Sequence, residues 1–179
     1  MNSLPFRLSS SIENIYLPAG MSLTKTPKKE AENASYEAYA FALNDLPILF
    51  RVGKITPKRT GHFVAIYERM GSKIVPIDVK ACGVAFLIVD VVDLQNEERG
   101  QFVFPQKTLV EKGVFTKGLS PEERMKRKRG KLSFRVFPPW SQPKLSAQKT
   151  EEWQRPFFFK IPQTDSPDYA LLRCLFTGK

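Results

Sequence analysis

The chain has 179 residues, 42% of them hydrophobic and 26% charged, a balance that suits one globular domain with its own core. Lys and Arg total 28 against 18 Asp and Glu, for a formal charge of +10 and a pI near 9.7. No apolar run reaches the roughly 18 residues that cross a bilayer, and Met1 to Gly20, which holds Arg7 and Glu13, lacks the apolar stretch of a secretory signal. Cys82, Cys174 and the lone His62 cannot assemble a four-ligand zinc site, and neither a P-loop nor a G-x-G-x-x-G motif occurs. Two unclustered cysteines fit free thiols in a reducing, cytoplasmic compartment, and no metal or cofactor is expected.

Residues 1–32 show no sustained hydrophobic period. Ser, Thr, Pro, Lys and Glu dominate Ser22 to Glu32, which predicts a mobile N-terminal arm followed by a single domain over 33–179. Tyr36 to Leu43 alternates and reads as a strand, although its alanines also suit a short helix. Asn44-Asp45 marks a turn, and Pro47 to Thr56 reads as a second strand rich in Ile, Leu, Phe and Val. Gly61 to Arg69 alternates again, with Phe63, Ala65 and Tyr67 opposite to Val64 and Ile66. Val84 to Val92 is a near-continuous apolar run and the best candidate for a central strand.

Gln101 to Phe104 reads as a short strand and Pro105 as a helix start, with Gly113 at its C-cap. Val114 to Gly130 is a long basic loop, with a helix start at Ser120-Pro121-Glu122-Glu123. Lys131 to Phe137 alternates as a strand that Pro138-Pro139 stops, and a helix opens at Ser146 and ends at Pro156. Phe157 to Lys179 stays undecided. The fold class is α+β: a mostly antiparallel sheet with helices in the C-terminal half.

The basic excess is clustered. Lys117, Arg124, Lys126, Arg127, Lys128, Arg129, Lys131 and Arg135 face only Glu122 and Glu123 in their stretch. Lys54, Lys58 and Arg59 form a second group and Lys25, Lys28 and Lys29 a third. Such clusters attract polyanions by Coulomb attraction and counterion release. Anionic membrane is a weaker partner, because no amphipathic Trp/Leu face accompanies the charge. The expected contacts to nucleic-acid phosphates are Lys54, Lys58 and Arg59, with the Thr56 hydroxyl, and Arg51 if a bulge at Gly53 brings it beside Lys54. Lys131 and Arg135 share one strand face, and Gln148 and Lys149 lie at the start of the following helix. Trp140 and Trp153 could stack on bases, but their settings read as core.

Several segments resemble the MepB family of small bacterial proteins, named for a gene beside a multidrug efflux pump. They are F-R-V-G-K-I-T-P-K, Phe50 to Lys58, followed by Gly61, Phe63 and Val64; G-Q-F-V-F-P, Gly100 to Pro105, with Leu109 and Lys112-Gly113; Gly130-Lys131 followed by Arg135 to Trp140; and Ala147 to Thr150 with Trp153-Gln154. Ser35 to Glu37 fits as well, so order and spacing agree from about Ser35 to Phe159. The resemblance implies a fold likened to restriction-endonuclease-like nucleic-acid-binding proteins and carries over no catalytic residue.

Three functions follow as expectations. The first is a protein that binds nucleic acid, duplex DNA foremost, through a basic face. The second is a metal-dependent nuclease, for which Asp78-Val79-Lys80 supplies a D-x-K triplet and Glu37, Asp45 or Glu68 the partner acid. The third is an adaptor whose basic face meets an acidic protein.

Overall fold

The computed structural model describes residues 4–178. The chain opens with helix α1 (Phe6–Ser11), which runs into a π-helical turn at Ile12–Tyr16. Seven strands follow with little helix between them: β1 (Leu23–Lys29), β2 (Tyr39–Leu43), β3 (Leu46–Val52), β4 (Lys54–Thr56), β5 (Arg59–Ala65), β6 (Tyr67–Met70) and β7 (Lys73–Pro76). Then come α2 (Val79–Cys82), β8 (Phe86–Asp93), β9 (Glu98–Pro105), α3 (Gln106–Glu111), α4 (Pro121–Met125) and β10 (Ser133–Val136). The chain ends with α5 (Leu145–Gln154), β11 (Phe158–Lys160) and α6 (Tyr169–Thr177).

Six strands form the main sheet in the order β1-β2-β3-β8-β9-β11, and a smaller sheet has the order β10-β5-β4. β6 and β7 make a separate hairpin. All pairs are antiparallel except β3 with β8. A parallel pair requires a long crossover, and here residues 53–85 supply it, carrying β4 to β7. The expected α+β class with mostly antiparallel strands and C-terminal helices therefore holds.

β8 is covered on both faces, which explains its unbroken apolar run. Phe86 and Ile88 join one cluster with Leu8, Ile12, Ile15, Tyr16, Leu172 and Phe176. Leu87, Val89 and Val91 join another with Val64, Val136 and Leu109. The N-terminal segment and α6 thus seal one face, and the small sheet seals the other.

This packing corrects the expectation of a mobile arm over residues 1–32. Leu8 and Tyr16 are fully buried, β1 pairs with β2, and a polar network ties the segment to the sheet. The Tyr16 hydroxyl donates to Gln101 Oε1 (2.7 Å), and Gln101 Nε2 donates to Ser11 Oγ (2.8 Å) and to buried Asp90 Oδ2 (2.9 Å). Arg99 Nη2 donates to the same Asp90 oxygen at 3.0 Å, and Arg7 stands 3.8 Å from the other. Met1 to Ser3, and Lys179 at the end of the expected domain, lie outside the described residues.

Candidate nucleic-acid interface

The small sheet owes its existence to a switch at Gly53. β3 ends at Val52, the Gly53 amide donates to Asp90 O (2.8 Å), and the chain then turns away to pair β4 with β5. A Cβ at position 53 would stand 2.8 Å from His62 Cβ and 3.0 Å from Val91 Cγ1, so only glycine permits this close approach. The switch separates Arg51 from Lys54, where a bulge was expected to unite them.

Register across the small sheet places Arg135, Phe63 and Lys54 in one row, on β10, β5 and β4 respectively. Side chains alternate along a strand. His62 and Val64, on either side of Phe63, are buried, as are Phe134 and Val136 beside Arg135. The row of Arg135, Phe63 and Lys54 therefore occupies the face turned away from the core. Arg135 Nη2 donates to Thr56 Oγ1 at 2.6 Å, and its Nη1 donates to the Thr60 and Gly61 carbonyls at 3.3 and 3.2 Å. Its Cζ lies 5.7 Å from the Phe63 ring centre. Lys54 Nζ lies 4.9 Å from the Tyr36 ring centre, and the Tyr36 and Phe63 rings are 6.0 Å apart. Partial burial, and next the charge of neighbouring Arg59, draw the Arg135 guanidinium below its ordinary value.

Two clefts extend this row into a cationic track. A cleft of about 220 Å³ lies between β10 and α5 and is lined by Lys112, Lys131, Arg135, Ser146, Thr150 and Trp153, among others. A larger one, about 430 Å³, is lined by Lys117, Lys128, Arg129 and Lys131. Lys131 belongs to both clefts, and Arg135 joins the first to the sheet face. The track thus runs from Lys117 and Lys128 through Lys131 to Arg135, Arg59 and Lys54.

Of the expected contacts, Lys54, Thr56, Arg59, Lys131 and Arg135 come together. Lys131 precedes β10 rather than lying in it, yet it shares a cleft with Arg135. Lys58 is exposed in the β4–β5 turn. Gln148 and Lys149 are exposed on α5, whereas Ser146, Ala147, Thr150 and Trp153 are the α5 residues that line the cleft. Arg51 is a correction: only 1% exposed, it pairs with Glu30 and donates to Phe50 O at 2.8 Å. Its strand face is the one that the crossover covers, so it has no access to a phosphate. Arg124 is likewise interior, bonded to Pro76 O and paired with Glu68.

The D-x-K triplet also lands elsewhere. Asp78 is the N-cap of α2, and its carboxylate accepts from the Lys80, Ala81, Gly118 and Leu119 amides and the Thr116 hydroxyl. Asp78 and Lys80 are therefore not alternate residues of one strand. Burial opposes its charge, but the Leu119 and Gly118 amides, the Thr116 hydroxyl and the Ala81 amide hold the carboxyl below its ordinary value. Among the described residues no group of three or more His, Cys, Asp and Glu is placed to hold a metal ion. Trp140 and Trp153 pack on Phe158 and Phe104, ring centres 5.5 Å apart in each case, as the core reading expected.

Three contributors escaped sequence reasoning. Tyr36 and Phe63 bring aromatic rings to the basic face. Gln154, fully buried, accepts from the Phe137 amide and donates to Arg135 O, both at 2.9 Å, and so fixes α5 against β10. The Trp153-Gln154 pair of the motif pattern was the available signal.

A family model described as MepB-like matches residues 30–160. A crystal structure of MepB superposes with a TM-score of 0.69 at 28% sequence identity, covering 88% of this chain and 97% of that one. No curated protein matches the chain. With most of its length inside the family model and its fold shared with a solved member, the chain belongs to the MepB-like family.

Proposed function

We propose that the protein binds nucleic acid through the cationic track, seating backbone phosphates against Lys54, Arg59, Lys131 and Arg135. The observation that carries this reading is the convergence of these four cations, from separate elements, on one exposed face. Arg135 is held by the Thr56 hydroxyl and two carbonyls, so its planar guanidinium meets a phosphate already oriented. Lys54, Lys58 and Arg59 lie on or beside a short turn whose exposure leaves them free to follow a polyanion. Contacts of this kind position the backbone and carry no base sequence. Duplex DNA, the substrate expected from the sequence, is the first ligand to test.

Fluorescence anisotropy of labelled duplex DNA, titrated at several salt concentrations without divalent metal, tests the reading. Binding is expected at low salt and falls steeply as salt rises, because each neutralised phosphate releases counterions. Lys54→Ala and Arg59→Ala should each weaken binding and reduce the log–log salt slope by about 0.9. No binding at low salt, or variants with an unchanged slope, sinks the proposal and turns attention to an acidic protein partner. No helix among the described residues is long and apolar enough to cross a membrane.

A further inference from the structure

We infer that the open face of the small sheet takes unpaired bases, so that a single strand is preferred over the duplex. The inference rests on the nucleic-acid reading above and names its substrate class. On a sheet with one face against the core, the outer face is ordinarily polar. Here the centre of that face, on the middle strand β5, is Phe63, and the Tyr36 ring stands 6.0 Å from it at an interplanar angle of 53°. Both rings are half-buried, and neither belongs to either of the two core clusters.

The rings do not stand alone. Lys54 Nζ lies over Tyr36 and the Arg135 guanidinium over Phe63, so each ring has a cation beside it. This alternation of flat apolar surface and positive charge matches the repeat of a single strand, a base and then a phosphate. A duplex presents its phosphates but keeps its base faces stacked inside, and so it can use only the cations. Every base has a face to stack, which makes the platform tolerant of sequence. Lys54 is exposed on a flexible stem. It swings from the Tyr36 ring to a phosphate as a base takes its place, whereas Arg135 stays fixed by Thr56 and the Thr60 and Gly61 carbonyls.

The test compares one labelled DNA oligonucleotide, free and annealed to its complement, by anisotropy at fixed salt. The single strand is expected to bind about tenfold more tightly, the scale of one base–aromatic stack. Tyr36→Leu and Phe63→Leu should bring single-strand affinity down toward the duplex value with no change in salt slope, since neither ring displaces a counterion. An unaltered circular dichroism spectrum and a cooperative thermal transition in each variant report that the fold is intact. A 2-aminopurine placed within the strand should be quenched on binding to the natural protein and less so by the Leu variants. Equal affinity for both forms, or Leu variants that keep the preference, overturns the inference while leaving the phosphate reading standing. Failure of both forms to bind overturns the two together.

Discussion

The Asp78 carboxylate is committed to the backbone, which gives a short catalytic-looking triplet a structural role here. An Asp followed by Val-Lys-Ala-Cys is also the pattern of a helix N-cap, and the N-cap geometry prevails because two loop amides and a hydroxyl arrive from residues 116–119. Asp78→Ala is expected to cost about 1–3 kcal/mol, read from urea midpoints, since it strands several buried donors. The sign of the pH dependence follows. With its folded-state value held below the unfolded one near 3.9, Asp78 contributes stability above that pH and loses it as pH falls through the folded value. His62 acts earlier. Burial pushes its imidazole down, opposed by the Val92 carbonyl and Asp93 and reinforced by Arg7 and Arg135. Its contribution is present above about 6.5, where the unfolded chain takes up the proton, and declines as pH falls further. Urea titrations between neutral and acid pH should show this first decline, and His62→Gln should remove it. An unchanged pH slope in that variant would contradict the burial argument. Neither role was fully legible from local sequence, because the Val92 partner of His62 and the 116–119 partners of Asp78 lie thirty or more positions away.

Among the elements, the N-terminal segment departs furthest from its sequence expectation. Leu8, Ile12, Ile15, Tyr16 and Ala19 are all buried, and their spacing of four, three, one and three residues is that of a helix face. The pattern was present in the sequence. Intervening serines, Pro5 and Pro18, and the Lys-rich stretch after Ser22 masked it, and the π-helical turn at Ile12–Tyr16 shifts its phase. β1 was harder still, because it is an edge strand with Pro27 and two register shifts, and so lacks a clean period of two. Deleting residues 1–20 should abolish the cooperative thermal transition. Each of the large apolar side chains contributes about 1.5–3 kcal/mol by burial, against a total stability of about 5–15 kcal/mol for a domain. A truncated chain that melts as sharply and as high as the full one would show that the segment is dispensable. Elsewhere the elements were readable where their signals were local: the Val84 to Val92 run, the Ser120 capping box, and the helix that Pro156 closes.

At the scale of the whole molecule, the basic face was legible as charge and its geometry was only partly so. The short turn between β4 and β5 placed Lys54, Thr56 and Arg59 together in the sequence, whereas Arg135 reaches them only through the pairing of β10 with β5. Arg51 fell outside because Glu30 comes from a segment distant in sequence and because the chain changes sheets at Gly53. Tyr36 joined because tertiary packing, which no local pattern encodes, lays it on Phe63. The crossover that carries Lys54, Thr56, Arg59 and Phe63 has a further consequence, in the order of assembly. The β2–β3 and β8–β9 hairpins are contacts between near neighbours and form early; joining them as the parallel pair closes a loop over residues 53–85 and must wait for that entropy cost to be met. Stopped-flow chevrons should therefore separate two classes of substitution. Val103→Ala, in the β8–β9 hairpin, slows folding, and Val64→Ala, in the small sheet, chiefly speeds unfolding. On this order the small sheet with its basic face is the last part of the molecule to mature and the first to be relinquished, so a chain emerging from synthesis pairs its main-sheet hairpins before that face exists.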